Sequence, residues 1–471
     1  MTTNPLDDPF YYLNNFLQVL DWLDQRYADV LSVEEQAFIG DFNLLPRASQ
    51  ALLVRMVMRK GAHFRQSKLH YLEIGDIAVA AEPLLALGWI DGQAPVTLAT
   101  LFEVLLKAEI VQCFAHAIEQ PKGRKSDWLA VLSEQFPDPQ AFGQWCAPLE
   151  DRLFSLTIMD LCDRLRLMFF GNLYQDWSEF VLADLGIFTY EKVEFCAESR
   201  GLRSREDVDA CLFLHQYQQD FEAGETVATV VEQINGLALS NPWLDKRRAK
   251  LLFQIAQHCE RMADFANALA IYRECAWPGA RGRMIRVLER CGEYQLAMDL
   301  AMLAEQSPQS AAEQQQLLRV LPWLRRKLGG PPNKRPSPRQ MLRLDLQLPR
   351  IDPEVSVEFY VQAHLAEDSA PVHYVENSLI NSLFGLLCWP AIFAPLPGAF
   401  FHPFQRGPVD LHHEDFLERR ADLFQACLAE LDDGSYRQTI RERYTAKWNV
   451  QSPFVYWGAL SDELLDQALE C

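Results

Sequence analysis

The chain has 471 residues, 49% of them hydrophobic, enough for about three domains and several buried cores. No apolar run approaches the roughly 20 residues that span a bilayer, and the start, Met1 to Asp8, lacks a signal-peptide pattern. A formal charge of −20 excludes indiscriminate nucleic-acid binding over the whole surface but leaves room for a local basic track. The eleven cysteines have no paired spacing, and Cys388 and Cys427 sit in apolar helical contexts, so they read as reduced core thiols. A cytoplasmic location is expected, nucleoid-associated in a bacterium or nuclear in a eukaryote, with no membrane partner.

Residues Asp8 to about Ile90 read as helices. Phe10, Tyr11, Leu13, Phe16 and Leu20 form one apolar stripe, and Leu52, Leu53, Met56 and Val57 another. Arg55, Arg59, Lys60, Arg65 and Lys68 form a small basic group that reads equally as a solvated face. Leu105-Leu-Lys-Ala-Glu-Ile and then Gly123-Arg-Lys-Ser-Asp-Trp-Leu resemble a SAP motif, a helix-loop-helix that grips the DNA backbone. Lys122, Arg124 and Lys125 would precede a helix whose free N–H groups can meet a phosphate, with Ser126 as its cap. The alternative is an ordinary exposed turn. Asp151 to Leu239 is apolar-periodic, and Trp177, Phe180 and Phe188 are expected to anchor its core.

Asn241-Pro242 marks a break, after which the composition turns basic. Trp243 to Arg343 carries 18 Lys and Arg against 9 Asp and Glu, so this stretch is +9 and the remainder −29. One basic face on an acidic protein is the electrostatic footprint of one-sided DNA binding, although solvated helix faces would give the same count. Glu260-Arg-Met-Ala-Asp-Phe-Ala-Asn-Ala-Leu can be laid on Glu289-Arg-Cys-Gly-Glu-Tyr-Gln-Leu-Ala-Met, an internal repeat of the tetratricopeptide type. Arg281 leads into the helix before the second copy, and Arg283, Arg286 and Arg290 share one of its faces. Arginine forks suit phosphate oxygens, which makes these four the best phosphate track in the chain.

Gly329 to Arg339 is a linker by composition. The alternation in Met341 to Leu348 predicts a half-buried strand, and Val355 to Val361 a second. His373 to Trp389 reads as a buried helix stopped at Pro390, with Glu376 in its first turn as the only carboxylate of the run. That position suits either a helix-dipole partner or a metal-binding carboxylate. His412-His413-Glu414-Asp415 reads as a charged helix start with Asp410 or Asp415 near the cap, since adjacent helical residues point apart and make poor ligand sets. Trp448 and Trp457 are expected to pack the last helices.

His373 to Trp389, Pro397-Gly-Ala-Phe-Phe and Pro408-Val-Asp-Leu together resemble the Fanconi-associated nuclease family, whose members end in a virus-type replication-repair (VRR-NUC) nuclease domain. The resemblance extends back through most of the chain. It implies a first active-site carboxylate on Glu-x-x-x-x-x-x-Leu-Phe-Gly-Leu-Leu-x-Trp, here Glu376, with Mg²⁺ or Mn²⁺ as the cofactor. The family's Pro-Asp followed by Glu-x-Lys does not occur between Glu376 and Cys471, and Pro137-Asp138 lies in the wrong context. The expected fold class is mainly α: a multidomain helical protein with SAP-like and tetratricopeptide-like hairpins, plus the N-terminal part of an α/β VRR-NUC domain. The expected domains are an N-terminal helical domain (1–95), a SAP-like DNA-binding motif (96–140) and a helical connecting region (141–240). Tetratricopeptide-like hairpins (241–330) and the start of a VRR-NUC domain with a helical insertion and no catalytic core (331–471) follow.

Three functions fit. The first is a structure-selective DNA-repair nuclease acting at 5′ flaps and as a 5′–3′ exonuclease in interstrand cross-link repair, this chain itself binding branched DNA without cutting. The second is a non-catalytic DNA-binding scaffold, and the third a helical-repeat adaptor for proteins. In the DNA-binding readings the duplex is expected to run between the Lys122-Arg124-Lys125 loop and the Arg283-Arg286-Arg290 face, near Glu376.

Overall fold

The computed structural model describes residues 8–118, 122–177, 179, 188–331, 343, 345–349, 356–367 and 370–470. The chain divides into two compact units. One comprises the residues up to Asp209 together with Phe400–Gln405, and the other comprises Ala210–Ala399 and Arg406 onward.

The N-terminal unit is built on α1 (Tyr11–Tyr27), whose Tyr12, Leu13, Phe16, Val19, Leu20, Leu23 and Tyr27 are all buried, as a 3.6-residue stripe requires. Helix α2 (Val33–Leu44) opens with a capping box in which the Ser32 hydroxyl accepts from Glu35 N–H and the Glu35 carboxylate accepts from Ser32 N–H. That carboxylate is fully buried and also accepts from Arg164, at 2.6 Å, and Arg205, at 2.8 Å. Helix α3 (Arg47–Val57) supplies the second apolar stripe, and α4 (Ile77–Ala86) packs against it.

The expectation of helices alone over 8–90 is corrected by a small antiparallel sheet. Strand β1 (His63–Arg65) and strand β2 (Ile90–Asp91) flank a later central strand, Leu153–Leu156, with His63 opposite Ser155 and Ile90 opposite Leu156. All four residues of Leu153–Leu156 are buried, so it has no polar alternation to betray it as a strand. Between these strands lies a separate small core. Strand β3 (Pro95–Val96) leads into α5 (Leu98–Val104) and α6 (Lys107–Cys113). Helix α7 (Lys125–Gln135) follows, and β4 (Gln140–Ala141), paired with β3, runs into α8 (Phe142–Trp145). Leu101, Phe102, Ile110, Trp128, Leu132 and Phe142 fill this core, and Trp145 Nε1 donates to the Val96 carbonyl at 3.0 Å.

Helix α9 (Met159–Phe170) ends at Gly171, whose φ of +70° only glycine adopts freely, and a Cβ there would lie 2.7 Å from the Phe401 ring. His402 stacks on Phe169 at 4.9 Å and accepts a hydrogen bond from Phe404 N–H. Of the expected anchors, Trp177 is buried against Phe16, Phe188 is 43% exposed and so not a core residue, and Phe180 lies outside the described residues.

The boundary between the units falls inside α10 (Arg205–Glu222), which α11 (Val227–Gly236) follows. The C-terminal unit then stacks helices in sequence, each packing on the next: α12 (Pro242–Arg261), α13 (Phe265–Glu274), α14 (Ala280–Cys291), α15 (Tyr294–Gln306) and α16 (Ala311–Lys327). The two repeat copies turn alike. Ala263 (φ +62°) and Gly292 (φ +80°) occupy the same repeat position, and both are left-handed.

Two expected strands are corrected. Val357–Leu365 is a helix, α17, because the Ser356 hydroxyl accepts from Phe359 N–H and starts a helical turn where the alternation suggested a strand. The described part of Met341 to Leu348, at Arg343 and 345–348, is not a strand, and the rest lies outside the described residues. Pro390 does not stop the chain from turning helically. Helix α18 (Leu379–Leu387) ends just before it, and Pro390 sits in the first turn of α19 (Trp389–Ile392), where its missing N–H costs nothing. The segment 412–415 forms turns ahead of α20 (Ala421–Asp433), and Asp410 is not a cap but a buried partner of Arg419 and Arg420. After α21 (Tyr436–Ala446), Trp457 donates to the Val450 carbonyl at 2.7 Å and packs on Tyr444, and Trp448 packs on both rings, at 5.2 and 5.4 Å, while its outer face stays exposed.

Two predictions follow from these features. Burial pushes the His402 imidazole down to about 3. Between its ordinary value and that one, the unfolded chain binds a proton that the folded chain does not, so stability falls as the pH is lowered from 7 to 5. The slope should approach about 1.4 kcal/mol per pH unit, and thermal denaturation of His402→Asn should show a flatter profile. Ala263→Gly relieves a left-handed alanine and should raise stability by up to about 1 kcal/mol, while Gly292→Ala lowers it by a similar amount in chemical denaturation.

Candidate nucleic-acid interface

In the N-terminal unit, the basic loop meets the start of α7. Its helix begins at Lys125 with Arg124 at the cap position, and the Ser126 hydroxyl donates to Asp127 rather than capping, which corrects the expected role. Lys125 is committed to the protein: its ammonium donates to the Phe102 carbonyl at 2.6 Å and the Leu105 carbonyl at 2.7 Å, at the end of α5. Lys122 and Arg124 are exposed, and among the described residues neither meets a carboxylate. Of the smaller basic group, Arg55 and Arg65 are committed to structural pairs, whereas Arg59, Lys60 and Lys68 stay exposed. Arg55 binds Glu73 at 2.8 Å, and Arg65 binds Glu109 at 2.6 Å and Asp151 at 2.8 Å.

In the C-terminal unit, the arginines of α14 divide. Arg281 pairs with Glu313 at 2.6 Å and holds that carboxyl below its usual range. Arg283, Arg286 and Arg290 turn to Glu260, at the end of α12. The Glu260 side chain is 2% exposed and lies 2.9 Å from Arg283, 3.5 Å from Arg290 and 3.9 Å from Arg286. The Tyr272 hydroxyl also donates to it, at 3.2 Å. Sequence reasoning found the arginines but missed the carboxylate that gathers them; its signal was that only Glu260 of the two repeat glutamates precedes an arginine-rich helix.

Glu376 does not lie in a helix. It is exposed, in a turn three residues ahead of α18, and Asn377 after it is left-handed at φ +55°, which breaks the helix the apolar pattern suggested. The Tyr374 hydroxyl donates to Glu376 at 3.2 Å, and that hydrogen bond raises the phenol's pKa. Both line an open groove of about 670 Å³ with Asn377, Asn381, Arg406 and Tyr456. The Leu-Phe-Gly-Leu-Leu run is explained by packing. A Cβ on Gly385 would lie 2.6 Å from that of Phe454, Ser382 accepts from Tyr456 N–H at 3.0 Å, and Arg443 donates to the Leu386 and Leu387 carbonyls to close the helix.

These residues do not by themselves fit a divalent cation. One carboxylate beside a phenol and two amides falls short of the several oxygen ligands that Mg²⁺ or Mn²⁺ requires. Among the described residues no three His, Cys, Asp or Glu side chains gather to hold an ion, and no helix is long and apolar enough to cross a membrane.

Comparison with known proteins places this architecture. Residues 10–91 match the family profile described as FAN1, HTH domain, and residues 95–145 match the Fanconi anemia-associated nuclease SAP domain. The chain is 54% identical over 466 residues to a Fanconi-associated nuclease 1 homolog of Pseudomonas aeruginosa, covering 99% of this chain and 83% of that protein. The chain belongs to the Fanconi-associated nuclease family. A family homolog of Arabidopsis thaliana is 24% identical over 98% of this chain, which spans 58% of that longer protein. Crystal structures of paFAN1 bound to DNA with a gap and a 5′ flap of two nucleotides or of one superimpose with TM-scores of 0.87 and 0.85. Both are 54% identical and cover 98% of this chain, and 85% and 86% of theirs.

Lys125→Ala should act on folding rather than on any ligand. Two buried-end carbonyls lose their donor, so thermal denaturation should show a loss of about 1–3 kcal/mol. Lys122→Ala and Arg124→Ala should leave the midpoint unchanged.

Proposed function

We propose that this chain recognises branched duplex DNA with a 5′ flap, as the DNA-binding body of a structure-selective DNA-repair nuclease. The observation that carries this reading is 54% identity across almost the whole chain to proteins crystallised on 5′-flap DNA. The finer activity of such a nuclease is that of a 5′-flap endonuclease and 5′–3′ exonuclease that helps clear interstrand cross-links, using Mg²⁺ or Mn²⁺ to assist phosphodiester hydrolysis. Phosphate contacts come from Lys122 and Arg124 at the start of α7, and from Arg283, Arg286 and Arg290 on α14. Such contacts position the protein without reading bases, so recognition follows the shape of the junction more than its sequence. Lys125 and Arg281 are assigned to the scaffold, since each is already engaged by protein oxygens.

Glu376 is the carboxylate that would face a metal. Among the described residues no further His, Cys, Asp or Glu gathers with it into an ion site, and on that ground we read this chain as binding flapped DNA without cutting it.

Fluorescence anisotropy with a labelled 5′-flap duplex, and a cleavage assay with Mg²⁺ and Mn²⁺, test both statements. Lys122→Ala/Arg124→Ala and Arg286→Ala/Arg290→Ala should each weaken binding by about 10-fold and flatten its salt dependence. No product should form. Unchanged affinity in both pairs would refute the interface, and metal-dependent cutting lost in Glu376→Ala would refute the inactivity.

A further inference from the structure

A carboxylate in the middle of a DNA-binding arginine cluster is expected to weaken it, because it repels the same phosphates that the arginines attract. The geometry around Glu260 points the other way. Its side chain is 2% exposed, whereas those of Arg283, Arg290 and Arg286 are 31%, 44% and 60% exposed. The negative charge therefore lies beneath the arginines and the positive charge lies above it. Three guanidinium groups within about two turns of one helix repel each other strongly unless a counter-charge holds them together. Glu260 supplies one buried charge against three, and even with Glu289, whose field reaches Arg286, the cluster stays net positive.

The hydrogen-bond count agrees. A carboxylate accepts about four hydrogen bonds, and five N–H donors sit on each guanidinium. Arg283 and the Tyr272 hydroxyl occupy one carboxylate oxygen, at 2.9 and 3.2 Å. Arg290 and Arg286 approach the other only at 3.5 and 3.9 Å, and Arg290 Nη1 also donates to the Glu260 backbone carbonyl at 3.4 Å, which leaves most of both forks unspent. Arg290 is further steadied over the Phe265 ring, 4.7 Å from its centroid.

The internal repeat supplies a control. Glu289 occupies the position of Glu260 in the second copy, yet one of its carboxylate oxygens is buried with no hydrogen-bond partner among the described residues. Its hairpin is formed nonetheless, by helices that pack directly on each other. A glutamate at this repeat position is thus not required to gather arginines for the hairpin to stand.

We infer that Glu260 is a positioning residue for DNA: a buried counter-charge that holds Arg283, Arg286 and Arg290 as a preformed site for consecutive phosphates of the duplex backbone. This rests on the proposal that these arginines contact DNA. It adds that their affinity depends on an acidic residue that touches no DNA.

The test is Glu260→Gln, which keeps the size and removes the charge. General electrostatics predicts tighter binding of 5′-flap DNA by a less acidic protein. Positioning predicts the reverse, an affinity about 10-fold lower at moderate salt and a log–log salt slope shallower by about one to two. In an Arg283→Ala/Arg286→Ala/Arg290→Ala background the same substitution should change affinity little, because the groups it positions are gone. A purely structural role would lower the denaturation midpoint equally in both backgrounds and leave the salt slope alone. Tyr272→Phe, which removes only one donor to Glu260, is the milder variant should Glu260→Gln not fold, and should lose about 2–3-fold in affinity. Unchanged or tighter binding by folded Glu260→Gln overturns the inference, as does unchanged binding by Tyr272→Phe where Glu260→Gln does not fold. If the Arg286/Arg290 pair also leaves affinity unchanged, the interface reading fails first, so the two failures are distinguishable.

Discussion

The interaction on which this structure most depends is a buried carboxylate that collects arginines from distant parts of the chain. Glu35 binds Arg164 and Arg205, Asp151 binds Arg65, which also holds Glu109, and Asp410 binds the fully buried Arg420. The first two join elements that are not neighbours in sequence, whereas Asp410 and Arg420 lie ten residues apart and pin a local turn. Burying such charges is costly, and the arrangement persists because each carboxylate also accepts backbone or hydroxyl hydrogen bonds or a second guanidinium. Ser32 and Ser67 N–H groups donate to Glu35 and Asp151 in this way. Removing one partner leaves a charge stranded in the protein, which is why such pairs constrain the fold more than their net energy suggests.

The same device bears on function. An acidic protein cannot scatter free arginines over its surface and expect them to stay in place; most find a carboxylate. Arg55, Arg65 and Arg281, which a count of basic residues would offer to DNA, are spent inside the protein. What remains is a small set whose carboxylate partner lies beneath it or is absent among the described residues. Charge asymmetry along the sequence locates the region but overstates the number of available cations, and only the ion-pair geometry separates the two populations.

The candidate carboxylate at Glu376 shows a different limit. Apolar spacing from Leu379 to Leu387 was legible as a buried helix, and Gly385 marked its tightest contact. The helix was extended too far upstream because Asn377 adopts a left-handed turn, a conformation that periodicity does not signal. The strand expected at Val355 to Val361 fails for a related reason: a strand-like alternation is overruled by the serine cap of a helix at Val357–Leu365.

By itself the sequence determined the predominance of helices, the stripe on α1, the repeat from Glu260 to Met298, the basic stretch and the family. These are local or additive properties: side-chain spacing along one element, a count of charges, a motif. Only the tertiary structure decided that Leu153–Leu156 is the central strand of a sheet, that Lys125 closes α5, and that Glu260 lies under three arginines. Each of those depends on which partner a group meets after long stretches of chain have closed, and pairing at that range leaves no periodic trace in the residues that take part.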